Sequence, residues 1–136
     1  MNGEKLLEQA KQARKNAYVP YSNFPVGAAI LTGDGTIVTG CNIENASYGL
    51  TNCAERTAIF KLISEGKSDI RMIAVVADTA GPVSPCGMCR QVMAEFCSPG
   101  TKVILSNLNG QSKETTVGEL LPFSFSKGDL HGENEI

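Results

Sequence analysis

Three of the chain's five cysteines fall in two short clusters, Cys53-Ala54-Glu55 and Pro85-Cys86-Gly87-Met88-Cys89. Thiolates are soft ligands that suit zinc. Cys86 and Cys89, three positions apart, share one face of a helix and can hold one ion. Cys53 and Glu55 are two positions apart, and two helical steps turn about 200°. Both therefore reach one site only where Cys53 is the cap of a helix, and the cap-forming types at Thr51 and Asn52 put the boundary there. Three thiolates leave a tetrahedral ion one position short, which marks a catalytic rather than a closed structural zinc. That position suits a water. Glu55, in the first helical turn, is expected to stand beside the ion and carry the water's proton.

Three thiolates on a divalent ion leave one net negative charge, which weakens its hold on that proton. The expected offsets are the two helix N-termini and an arginine following each cluster, Arg56 or Arg90, of which Arg56 is preferred. A lone Cys-x-x-Cys also reads as a redox dithiol, a reading that the third cysteine and the adjacent glutamate weaken. A structural zinc would need a fourth ligand from Cys41, Cys97 or the single histidine, His131, and none has ligand spacing. Cys41 and Cys97 read as buried small hydrophobes, and His131 as solvated.

The elements around these clusters alternate between helix and strand. Leu6, Leu7, Ala10, Ala13 and Ala17 recur at helical spacing, predicting a helix over 4–17. Val26–Thr32 and Thr36–Cys41, joined by Gly33-Asp34-Gly35, read as two antiparallel strands. The polar stretch Asn42–Asn52 is a loop leading to a helix over Ala54–Ser64, closed by Gly66. Arg71–Ala77 reads as a strand buried on both faces. A helix from Cys86 to about Cys97 follows, then strands at Lys102–Ser106 and Lys113–Thr116 and a helical turn near Val117–Leu121. This order predicts an α/β fold, helices against a sheet. At 136 residues the chain is expected to be one domain over 1–136, its tail loosely held from about 126.

Composition narrows the function. Twelve Lys plus Arg against 14 Asp plus Glu give a net charge of −2, with 6% aromatic residues and no Trp, which argues against a polynucleotide partner. The longest apolar run, Met72–Ala77, is far short of the roughly 20 residues that span a membrane. The N-terminus lacks the pattern of a signal peptide, so a cytoplasmic protein is expected.

The two cysteine clusters, Cys53-Ala54-Glu55-Arg56 and Pro85-Cys86-Gly87-Met88-Cys89-Arg90-Gln91, resemble the zinc nucleoside deaminases. Two further motifs, Ala17 to Ala29 (AYVPYSNFPVGAA) and Gly40 to Tyr48 (GCNIENASY), resemble cytidine deaminases of the short, homotetrameric kind, a likeness that covers about residues 5–125. The resemblance implies a three-layer α-β-α sandwich with a five-stranded mixed sheet and helices on both faces. It implies one zinc per chain on Cys53, Cys86 and Cys89, Glu55 as proton shuttle, and hydrolytic deamination of cytidine and deoxycytidine in pyrimidine salvage. It also implies substrate contacts from Phe24, Asn42, Glu44, Ala46, Tyr48, Ala54 and Phe125, with Asn42 and Glu44 on ribose hydroxyls. Phe125 would close the base pocket of a neighbouring subunit in a homotetramer.

Read from residue chemistry alone, Asn42 and Glu44 can leave one face of an extended loop and suit two sugar hydroxyls, although Asn42 is equally a turn former. Phe24 is a loop aromatic able to stack on a base or to pack on the first strand. Phe123 and Phe125 are expected in the core. The rival substrates are cytosine in nucleic acid, disfavoured by the charge, and a nucleoside antibiotic. The rival class is a non-enzymatic zinc or redox module.

Overall fold

The computed structural model describes residues 3–131, without the side chain of His131, so the solvation expected of that histidine lies outside the described residues. The elements are α1 (Gly3–Arg14), β1 (Val26–Thr32), β2 (Ile37–Cys41), a 3-10 turn (Tyr48–Leu50), α2 (Ala54–Ser64), β3 (Ile70–Ala77), α3 (Gly87–Phe96), β4 (Lys102–Asn107), β5 (Ser112–Thr116), α4 (Val117–Leu120) and α5 (Lys127–His131). α1 ends three residues before the expected 17. Lys15, Asn16 and Ala17 donate their amides three residues back, to Gln12, Ala13 and Arg14, which tightens the last turn out of the α-helix. α3 begins at Gly87 rather than Cys86, because Cys86 takes extended angles (φ −70°, ψ 165°) as its N-cap. The segment after 126 winds into α5, where Ser126 N and Oγ donate to Asp129.

The five strands form one mixed sheet in the order β2-β1-β3-β4-β5. Only β3 and β4 pair in parallel; the other three pairings are antiparallel. Two successive antiparallel pairings make β2 and β3 run the same way, so both end at one edge of the sheet. The chain leaves that edge into α2 and into α3, which brings the two helix starts together.

Side chains alternate across the pleat and divide the core in two. Ala29, Ala74, Val76 and Ile104 meet Leu6 and Ala10 of α1 on one face. Ala28, Ile30, Ile73, Val75, Val103 and Leu105 meet Ala54, Ala58, Ile59 and Leu62 of α2 and Met93 of α3 on the other. The result is the expected α-β-α sandwich.

The register of α2 on β2 depends on Gly40. A Cβ there would lie 2.5 Å from Ala58 N and 2.6 Å from Ala54 O, both backbone atoms of the helix. Because α2 is a rigid element fixed by its packed face, it yields only as a whole. Gly40→Ala is expected to destabilise the fold by about 3 kcal/mol, the upper end of ordinary overpacking costs, as read by chemical denaturation. Wild-type stability in that variant would show that α2 is free to retreat from β2.

Candidate metal centre and active-site cavity

Cys53 and Cys86 are the N-caps of α2 and α3, both with extended backbone angles, and Cys89 lies in the first turn of α3. Their three sulfur atoms lie within 4.8 Å of one another. Cys53 Sγ and Cys86 Sγ are 3.7 Å apart, and Cys86 Sγ and Cys89 Sγ 3.4 Å. Zn–S bonds of about 2.3 Å at tetrahedral angles hold sulfurs roughly 3.8 Å apart. The observed spacings fit that ion, and they are far beyond the roughly 2.05 Å of a disulfide. The three sulfurs thus form a donor set that could hold one such ion.

Several groups act on the charge of this cluster. Cys89 N donates to Cys86 Sγ at 3.5 Å, and both helix N-termini direct their amide dipoles toward it. Arg56 Nη2 donates to Cys53 Sγ at 3.2 Å. Hydrogen bonds from Cys89 and from Arg56 pull the Cys53 thiol down to about 5. Cys89 is held far above the ordinary thiol range by its hydrogen bond to Cys53 and by burial. Arg90 turns its guanidinium to oxygen instead, donating to Pro85 O, Leu120 O and Ser84 Oγ.

Glu55, one position into α2, is 4% exposed. Burial pushes its carboxyl up to about 7, and the neighbouring Cys53 thiolate adds to the rise. A carboxyl held so near neutrality exchanges a proton at little cost in either direction.

A cavity of about 180 Å³ opens onto this group, lined by Phe24, Val26, Asn42, Cys53, Ala54, Glu55, Val83, Ser84 and Cys86. The structure thus brings Phe24, Asn42 and Ala54 to the cysteines. Glu44, Ala46 and Tyr48 line a separate hollow of about 340 Å³, together with Tyr21, Ser22, Asn45 and Thr51. Thr51 ties that loop, its Oγ1 accepting from Asn45 N at 3.2 Å.

The loops that carry these residues are held by the polar side chains themselves. Asn42 Oδ1 accepts from Val26 N at 2.9 Å and its Nδ2 donates to Phe24 O at 2.8 Å, so the amide clamps the backbone on both sides of Pro25. Glu44 Oε1 accepts from Tyr21 N and Ser22 N, each at 3.0 Å, and Oε2 accepts from Ser22 Oγ. Those donations, the Ser22 hydroxyl first, hold the Glu44 carboxyl below the usual range and keep it charged. Each side chain retains hydrogen-bonding capacity beyond these ties.

Phe125 does not reach either hollow within the chain. It is 62% exposed, its carbonyl accepting from Gln91 Nε2 at 2.9 Å, and Phe123 is fully exposed with φ 55°. The core placement expected for this pair is therefore corrected. The left-handed backbone at Phe123 departs from helix and strand geometry, and phenylalanine in that conformation is strained. Cys41 and Cys97 stand apart from the cluster as partly buried free thiols, burial raising Cys97 to about 12. Sequence reading missed Val26, Val83 and Ser84 as cavity wall and the clamping roles of Asn42 and Glu44. The hydroxyl of Ser22, two positions before Phe24, was the one available signal for the second of these.

Comparison with known proteins adds an independent line. The sequence profile described as the cytidine and deoxycytidylate deaminase zinc-binding region matches residues 1–106. A cytidine deaminase of Sporosarcina psychrophila is 62% identical over 130 residues, 96% of either chain. One from Halalkalibacterium halodurans is 61% identical over 131 residues, covering 96% of this chain and 99% of its own. The crystal structure of cytidine deaminase from Burkholderia pseudomallei superposes with a TM-score of 0.90 at 53% identity, over 92% of this chain and all of the other.

Proposed function

Since the chain belongs to the cytidine and deoxycytidylate deaminase family, we propose that it removes the C4 amino group of free cytidine and deoxycytidine, with Glu55 carrying the protons. The enzyme is a zinc-dependent hydrolase of the nucleoside, yielding uridine or deoxyuridine and ammonia. The observation that carries the residue assignment is the buried Glu55 beside three convergent sulfurs at one end of a cavity of nucleoside-base dimensions.

Cys53, Cys86 and Cys89 would hold the zinc, which would supply the Lewis acidity that makes a water acidic near neutral pH. Glu55 takes the first proton of that water and delivers it to N3 as oxygen bonds to C4. The same carboxylate then collects the remaining hydroxyl proton and hands it to the exocyclic amine. The C4–N bond breaks, ammonia departs, and C4 becomes a carbonyl. One water is consumed, and Glu55 returns to its starting state.

Arg56 offsets the thiolate charge through Cys53 Sγ, which would preserve the Lewis acidity of a zinc held there. Phe24 and Ala54 pack against the base, and Asn42 and Glu44 take sugar hydroxyls with the polar atoms their loop clamps leave spare. Ala46, Tyr48 and Phe125 serve sites shared between subunits of a homotetramer. That reading is supported by the exposure of Tyr48 and Phe125. The setting is cytoplasmic pyrimidine salvage, in keeping with the absence, among the described residues, of a helix long and apolar enough to cross a membrane.

The direct test is cytidine turnover, followed by the ultraviolet change on conversion to uridine and by ammonia release, with zinc measured in the same sample. Steady turnover with about one zinc per chain is the expected result. Zinc without turnover of either nucleoside would move the substrate elsewhere, toward a nucleoside antibiotic.

A further inference from the structure

One wall of the cavity that Glu55 lines is shared with a second hollow. Val83 and Ser84 line the cysteine cavity on one side and, on the other, a larger one of about 510 Å³ that also takes in Arg90, Lys113, Glu114, Glu119 and Leu120. Val83 is buried in the main core and Pro85 is buried beside it, whereas Ser84 between them is exposed, so the side chain at 84 takes its position from polar ties rather than from close packing.

At its ends the partition is tied by main-chain bonds, Val83 N to Ser106 O at 3.3 Å and Arg90 N to Cys86 O at 3.1 Å. Between them the guanidinium of Arg90 supplies the bracing. Nε donates to Pro85 O at 2.9 Å, Nη2 to Ser84 Oγ at 2.7 Å, and Nη1 reaches Leu120 O at 2.9 Å. These are charge-assisted bonds in fork geometry, which lysine does not reproduce. The carbonyl of Pro85 and the amide of Cys86 belong to one rigid peptide plane, so fixing the first sets the orientation from which the Cys86 sulfur is projected.

The geometry points to Arg90 as a positioning residue for the deamination: it acts through Ser84 and Pro85 to hold the cavity wall and the Cys86 sulfur in register with Cys53, Cys89 and Glu55. This rests on the deaminase reading above. Leu120 O anchors the brace to α4, so the wall is referenced to the C-terminal segment as well as to α3.

The test uses the full-length enzyme with zinc and, separately, with cobalt, whose visible bands report ligand geometry without turnover. Arg90→Gln and Arg90→Lys are expected to keep about one metal per chain, shift the cobalt–thiolate bands, and lower kcat for cytidine about 30-fold, somewhat less than the roughly hundredfold cost of a 1 Å misplacement. KM is expected to change less than threefold, and lysine is not expected to rescue. A structural arginine would lower thermal stability alone. Wild-type bands with kcat within threefold of wild type in both variants overturn the proposal. Should neither variant fold, Ser84→Ala carries the test, since it removes one acceptor and nothing from the core. Shifted bands support the brace, and wild-type bands with wild-type kcat overturn it. Wild-type enzyme inert toward cytidine would fault the deaminase reading instead, while the cobalt bands would still report on Arg90.

Discussion

Glu55→Gln is expected to lower kcat for cytidine by about four orders of magnitude, because the one group that both accepts and donates the travelling protons is gone. The amide has the shape of the carboxyl it replaces, so the 4% exposed position remains filled and the cavity wall is unchanged. Metal content should stay at the wild-type level, since the donor set consists of three sulfurs and excludes the carboxylate. Stability should hold or rise, because burial in the native state works against the ionised carboxylate and the amide carries no charge to bury. Steady-state kinetics, metal analysis and a thermal melt on one preparation decide the matter. A kcat within tenfold of wild type removes Glu55 from the mechanism.

Cys89→Ser should abolish turnover by a different route. Cys89 has no exposed surface and lies among the first-turn residues of α3, whereas Cys86 at the cap is exposed. Substituting the inner sulfur leaves two thiolates, too few to hold zinc against buffer, and activity should fall below detection. The loss should also appear in stability, because an ion that joins residues 53 and 89 cross-links two helix starts on neighbouring parts of the sheet. A drop in melting temperature on the order of 10 °C is expected, corresponding to several kcal/mol for a domain of this size. Added zinc should raise the wild-type midpoint and leave the variant's unchanged. Cys97→Ser, outside the cluster, should retain both zinc and turnover. A Cys89→Ser protein that still binds a full equivalent of zinc contradicts the ligand assignment.

Much of this was legible in the chain because the relevant signals are local. The strand at Val26–Thr32 and the helix at Ala54–Ser64 come out residue for residue, since apolar periodicity and flanking Gly or cap residues define both ends. Cys53 as a cap followed from the need for a thiolate and a carboxylate two positions apart to serve one site. Arg56 was favoured over Arg90 on charge balance, and the contact to Cys53 Sγ is there.

The misses have a common cause: they depend on what lies across space. Nothing near Arg90 in sequence announces that Leu120 O, thirty residues on, needs a donor. The roles of Asn42 and Glu44 as clamps on residues 21–26 require knowing that the two loops lie side by side. Phe123 and Phe125 looked like core because apolar pairs two apart normally face inward, and only the left-handed backbone at Phe123 turns them out.

The burial of Cys89 also sets an order of access within one short motif. Cys89 has no exposed surface, whereas Cys86, its sulfur 3.4 Å away, is exposed. An oxidant or alkylating reagent approaching the folded, metal-free molecule therefore meets the cap sulfur and is screened from the inner one. Two thiols that look equivalent on paper are chemically unequal because the backbone turns one outward and the other in.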